Sequence, residues 1–198
     1  MFKDEEILAA LNEAERLATP NDIRTGPVKI GRRLYEFEEQ SFWDDKLFLY
    51  IPKDFTDMPE KFRKIKYPHE NRPAVIKSDE TGAINFTLNL IDQELEEEWV
   101  KELTDGTKMM LKKVNPTNVF FSDGIEVVDE KQVGYFDFKS AAMDEFIYQL
   151  MFFFEFSGRT MIGTFNCSYR EYADWRDFVF QVIRTIRVIR EDREEEEV

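Results

Sequence analysis

Residues 146–166 read FIYQLMFFFEFSGRTMIGTFN, the densest apolar run in the chain. Ser157-Gly158 at its centre is a two-residue connection of the kind that closes a β-hairpin. Such a turn sets Phe154 opposite Met161, Phe152 opposite Gly163, Leu150 opposite Phe165 and Tyr148 opposite Cys167. Side chains alternate along a strand, so all of these share one face, apolar almost without a break, that has to be buried. The other face pairs Glu155 with Thr160, Phe153 with Ile162, Met151 with Thr164 and Gln149 with Asn166, apolar in the middle and polar at both ends. A glycine opposite Phe152 leaves room for the ring to lie over bare backbone, so Gly163 is expected to serve packing.

Upstream, residues 4–18 carry Ile7, Leu8, Leu11, Ala14 and Leu17 at helical spacing, and Thr19-Pro20 ends that pattern. The stripe is narrow, and the loop-like stretch to Gly31 would let this helix act as a lid, a dimerisation arm or a cover. A second hairpin is expected around Asp44-Asp45, between residues 32–42 and the apolar LFLYI at 47–51. Met58-Pro59 opens a short helix with Phe62 and Ile65 on one side, closed at Tyr67-Pro68. Strands over 74–76 and 83–91 flank Asp79-Glu80-Thr81-Gly82. A long helix is expected from Asp92 to about Val114, facing the core through Leu95, Trp99, Leu103, Met110 and Val114, with a kink or break open to it at Asp105-Gly106. Residues 119–121, 125–128 and 131–139 read as short strands separated by Asp123-Gly124 and Asp129-Glu130. The last helix starts at Ser168, with Glu171 completing a capping box, and buries Tyr172, Trp175, Phe178, Val179, Val182, Ile183 and Ile186. The order predicts an α+β fold: one antiparallel sheet of about six to eight strands flanked by helices as an α/β/α sandwich. Residues 1–29 form an N-terminal helix and tether, 30–190 a single domain and 191–198 an acidic tail.

Composition narrows the partners. The chain has 198 residues, 19 of them Phe, enough for a sizeable core. A formal charge of −14 argues against nucleic acid and against an anionic membrane surface, both of which call for a basic protein. One cysteine, an acidic N-terminus and no long apolar run point to a cytoplasmic protein.

No reaction is written in the motifs. With His69 the single histidine and Cys167 the single cysteine, no metal site beyond a carboxylate cage is available, and no serine elbow exists for His69 to serve. Cys167 reads as a small buried hydrophobe. The glycines are scattered, so no phosphate-cradling loop or dinucleotide fingerprint forms, and no cofactor is expected. Two surfaces remain as candidates for a partner. Lys61, Arg63, Lys64, Lys66, His69 and Arg72 form a basic cluster in an acidic chain, against the simpler reading of a solvated helix face. Met151, Phe153 and Ile162 form a half-apolar sheet face, against the simpler reading that a helix covers it. A displaceable helix, with residues 4–18 as the candidate, is the expected cover.

Three pieces together resemble the PsbP and Mog-type fold: LFLYIPKDFTDMPEKFRKIKYP at 47–68 with RPAVIK at 72–77, SDGIEVVDEKQVGYFDFKS at 122–140, and MFFFEFSGRTMIGTFNCSYREYADW at 151–175 running to IRTIRV at 183–188. The resemblance covers about residues 30–190 and implies a compact antiparallel sheet between helices, to which the helix at 4–18 is an addition. It also implies binding, since the superfamily holds photosystem II extrinsic subunits, a Ran-binding protein, lipoproteins and Eag-type secretion chaperones. No shared site motif carries residues over. The expectation is therefore a non-catalytic protein-binding module, an adaptor or chaperone, able to homodimerise through the N-terminal helix. A small-molecule or lipid-binding domain is the alternative, and a carboxylate-based enzyme the more distant one.

Overall fold

A computed structural model describes residues 21–68, 72–142 and 144–189. The first half contains β1 (Val28–Ile30), β2 (Arg33–Tyr35), β3 (Phe37–Phe42), β4 (Leu47–Pro52), β5 (Thr56–Asp57), α1 (Glu60–Lys66), β6 (Val75–Ser78) and β7 (Asn85–Glu94). A 3-10 turn at Glu97–Trp99 leads into α2 (Val100–Val114), followed by β8 (Val119–Val128), β9 (Lys131–Ala141), β10 (Phe146–Phe156) and β11 (Arg159–Ser168). A second 3-10 turn, Tyr169–Glu171, opens α3 (Tyr172–Ile183), and β12 (Arg187–Val188) closes the fold. The helix expected at 4–18 and the tail at 191–198 lie outside the described residues.

The β10–β11 hairpin has the register that its turn dictates. Phe154 pairs with Met161, Phe152 with Gly163, Leu150 with Phe165 and Tyr148 with Cys167. Ser157 and Gly158 take φ of 53° and 76°, the positive values that a tight primed turn requires at both central positions. The apolar face is buried from end to end. Burial of each large side chain on it stabilises the fold by about 1.5–3 kcal/mol. At Gly163 an added Cβ would lie 1.9 Å from Phe152 Cζ, so the ring does occupy the space over bare backbone.

This hairpin is the centre of a seven-stranded sheet in the order β5-β6-β7-β11-β10-β9-β8, antiparallel at every step. Two smaller sheets, β12-β4-β3 and β1-β2, stand apart from it. The expectation of a single sheet is corrected here, because the 37–52 hairpin pairs with the short β12 and its Leu47, Leu49 and Ile51 join the core from above the sheet. That main core holds α3 through Trp175, Val179, Val182 and Ile183 and reaches back to Ile23 and Val28. The helical layer on this side is thus shared with strands.

The opposite sheet face carries a smaller core of Phe136, Phe138 and Phe153, packed by Leu103 and Leu111 of α2. Beyond it the face turns polar and satisfies itself across strands: Thr87 with Thr164 at 2.5 Å, Asn85 with Asn166 at 3.0 Å, Gln149 with Ser140 at 2.8 Å. Several expectations about α2 fail. Strand β7 continues to Glu94, and the helix begins only at Val100. It is unbroken at Gly106. Its buried residues are Val100 and Thr104, while Trp99, Met110 and Val114 face solvent. The helix can sit low because Gly134 has no side chain: a Cβ there would come within 2.0 Å of Thr104 Oγ1. Lys101 pairs with Asp105, and the Glu97 carboxylate accepts from the Gln132 N–H and pairs with Lys131.

Candidate functional site

The candidate surface is built on β8, the last strand of the main sheet, with no neighbour on its outer side among the described residues. Residues 119–128 were expected as two pieces broken at Asp123-Gly124, yet they form one strand. The irregularity falls earlier, where Phe120 pairs with Phe138 and Ser122 with Asp137, leaving Phe121 as an extra residue in a β-bulge. Phe120 turns to the α2 side and lies 5.2 Å from Phe138. Phe121 and Ser122 both turn to the α3 side.

A buried carboxylate fixes the bulge. Asp137, fully buried, accepts from the Ser122 N–H and hydroxyl, both at 2.7 Å, from the Tyr148 hydroxyl at 3.0 Å and from Arg176 Nε at 2.7 Å. Arg176 also donates to Ser122 Oγ at 2.8 Å. The amide freed by the bulge therefore has a charged acceptor, and α3 is tied to the sheet edge. Burial, with the Asp137 charge beside it, drives the Tyr148 phenol far above its ordinary range and keeps it a neutral donor. The hydrogen bond to Asp137 holds the Arg176 guanidinium charged. This network is saturated within the protein and organises the surface above it.

That surface is aromatic. Phe121 stacks near Tyr172 at 5.0 Å and Tyr169 at 6.2 Å, and the two tyrosines stack at 5.3 Å. Lys139 Nζ lies 4.0 Å from the Phe146 ring centre and 4.3 Å from that of Tyr169, joining them through cation–π contacts. Phe146 is 53% exposed and Phe121 36%, with Val119 open beside them. Alongside runs a cleft of about 380 Å³ between Phe146 and Tyr169, with Asp144, Glu145 and Arg170 on its wall. Burial, and then repulsion from Asp79, Asp174 and Glu145 nearby, raises the Glu171 carboxyl above its ordinary value. The site thus offers ring faces, bridged by Lys139, next to a wall on which Asp144 and Glu145 outnumber Arg170.

The residues singled out in the sequence lie elsewhere. Phe153 is 0% exposed, and Met151 and Ile162 are half-buried beside it, with α2 as their cover. The proposed cover, residues 4–18, lies outside the described residues, and the long helix fills that place. Lys61, Arg63, Lys64 and Lys66 are on α1 with their charges largely used locally. Lys64 pairs with Glu60 at 2.8 Å, Lys66 donates to the Gly82 carbonyl, and Lys61 lies over its own Phe62 ring. Arg72 is within electrostatic reach of Glu60. Phe62 packs on the Gly82 turn, while Ile65, expected on the same side, is exposed. His69 lies outside the described residues. Cys167 is buried, and its thiol is pushed up and kept protonated chiefly by that burial. Among the described residues no group of three or more His, Cys, Asp or Glu is placed to hold a metal ion, and no helix is long and apolar enough to cross a membrane.

The aromatic edge was missed in the sequence because Phe146 was absorbed into the hairpin and Val119-Phe120-Phe121 into a short strand. Its signal was there: three consecutive apolar residues in an edge strand break the two-residue alternation, which is how a bulge reads.

No family model and no curated protein matches the sequence. Solved structures do match. The solution structure of cyanobacterial PsbP (CyanoP) from Synechocystis is 12% identical and superposes with a TM-score of 0.57 over 80% of this chain and 96% of that one. A Bacteroides thetaiotaomicron protein gives 8% identity and 0.50 over 78% of this chain and 49% of its own length. LpqN of Mycobacterium tuberculosis gives 12% and 0.48 over 81% and 95%. At such identities the likeness is one of fold, and the architecture of this chain is PsbP-like.

Proposed function

We propose that this protein is a non-catalytic protein-binding module, an adaptor or chaperone, that takes an apolar peptide segment on the aromatic edge formed by Phe121, Phe146, Tyr169 and Tyr172. The observation that carries the reading is a contiguous set of rings, Phe121 and Phe146 exposed and Tyr169 and Tyr172 half-buried, with a saturated buried network beneath Phe121 and Tyr172. Monomeric proteins keep large apolar patches for contacts, and aromatic residues dominate interface energetics. Asp144 and Glu145 outnumber Arg170 on the cleft wall, which favours a segment that carries a basic residue next to its apolar ones. Dense filling of the interior, with Phe152 over Gly163, supports this reading over an internal lipid cavity. A cytoplasmic setting and a helix–sheet–helix layering with an added N-terminal helix belong to the same proposal. Selection from a random peptide library tests it, with Phe146→Ser as the counter-target. Selected peptides should combine apolar and basic residues and bind Phe146→Ser at least about tenfold more weakly. Peptides that bind both proteins equally, or a library that yields no binder, would overturn it.

A further inference from the structure

We infer that the outward stripe of α2 pairs with the same stripe of a second copy, antiparallel, in a two-fold dimer that crosses at Gly106. The helix has two apolar faces. Val100, Thr104 and Leu111 turn toward the sheet, whereas Trp99, Met110 and Val114 are 51, 56 and 76% exposed. With exposed Gly106 these fall at positions 99, 106, 110 and 114 and line one side, next to half-buried Leu103, which packs on the smaller core. The sheet already occupies the inner face, so the outer stripe has no partner among the described residues.

Gly106 lies at the middle of that stripe. It weakens a helix interior by about 1 kcal/mol relative to Ala. Nothing among the described residues requires it, because an added Cβ would meet no atom of theirs within 4 Å. At the crossing of two helices its bare backbone permits close approach.

Charge decides the occupant and its direction. Glu94, Glu96 and Glu98 just before the helix, Glu102 in its first turn, and Lys112 and Lys113 at its end have no ion pair among the described residues. Antiparallel pairing brings each acidic end to a basic end, while parallel pairing would oppose like charges. One surface carrying both halves of the match is what a two-fold contact needs. Residues 4–18, the other apolar stripe, hold Asp4, Glu5, Glu6, Glu13 and Glu15 against Arg16 and offer no basic half. Beside Trp99 a hollow of about 340 Å³, rimmed by Glu94, Glu96 and Glu102, receives the Val114 end of the second helix.

A helix of this length spans about 22 Å, and its stripe falls below the ~800 Å² per partner of a standard interface, so association should be micromolar or weaker. The stripe is on the α2 side of the sheet and the aromatic edge on the α3 side, so the dimer leaves both peptide surfaces open. Sedimentation across a concentration series should show a monomer–dimer equilibrium that weakens with added salt. Met110→Lys, at an exposed position, should raise the dissociation constant at least about tenfold with the circular dichroism spectrum unchanged. Gly106→Ala should raise the unfolding midpoint yet weaken the dimer. A strictly monomeric chain, a dimer indifferent to Met110→Lys or Gly106→Ala, or one that tightens with salt would overturn the inference.

Discussion

Gly163→Ala adds one carbon to the most crowded point of the central hairpin. That carbon would stand 1.9, 2.2 and 2.5 Å from Cζ, Cε2 and Cε1 of Phe152. The ring cannot simply swing away, because Phe152 is buried with Phe154 stacked parallel to it 6.4 Å along the strand. Overpacking of this kind costs about 1–3 kcal/mol, and contact with three ring atoms places this case at the upper end. With a urea m-value of about 2 kcal/mol/M, the denaturation midpoint should fall by about 1.5 M. The cause can be separated from glycine's backbone effects by Phe152→Leu, which removes the ring edge. That change alone should destabilise, but in the Gly163→Ala background it should cost less, with a coupling of about 1 kcal/mol or more. Strict additivity, or an unchanged midpoint for Gly163→Ala, would refute both the register and the packing role assigned to the glycine.

Asp137→Ala strands the Arg176 guanidinium, the Tyr148 hydroxyl and the Ser122 amide, and should destabilise by about 3–5 kcal/mol in urea denaturation; a loss under about 1 kcal/mol would mean that the network is ornamental. Glu171 is protonated more readily in the fold than when unfolded, so its charge costs stability at neutral pH, and that cost fades as pH falls through its raised folded value. Glu171→Gln should therefore raise the thermal midpoint at pH 7 and lose that advantage near pH 4, whereas an equal gain at both values would contradict the assignment. Gly134→Ala should lift α2 at Thr104 and speed hydrogen exchange across residues 100–114, while Thr104→Ala in the same chain should restore much of the protection.

Much of the sheet was legible because turns and alternation act locally. Ser157-Gly158 set the register of β10 and β11, and the positive φ of Asp129 and Glu130 closes β8 on β9 where those residues were read as punctuation. Helix α3 was legible for the same reason: Trp175, Phe178, Val179, Val182 and Ile183 of its expected stripe are its buried residues, while Tyr172 is half-buried and Ile186 is buried past its end. Helix α2 was not, because it carries two apolar stripes and periodicity cannot tell which one the sheet takes. The choice is made by Gly134 on a distant strand, which admits the polar Thr104 and leaves Trp99 and Met110 outside. Asp123-Gly124 looked like a turn, yet Gly124 is extended and lies under the Tyr135 side chain, 3.0 Å from its hydroxyl at the nearest point of an added Cβ. The aromatic edge depends on the bulge at Phe121, whose cause is a carboxylate fifteen residues away in hydrogen-bond contact with Ser122. The broken alternation at Val119-Phe120-Phe121 signals a bulge locally, but the carboxylate that fixes it is brought there only by strand pairing.

The most direct measurement is the footprint of a selected peptide on the isotopically labelled protein by nuclear magnetic resonance. Shifts concentrated at Val119, Phe121, Lys139, Phe146 and Tyr169, with α1 and α2 unmoved, are the expected result. A footprint centred on Lys61, Arg63 and Lys64 of α1, or on Met151 and Ile162 beneath α2, would contradict the aromatic edge as the partner site.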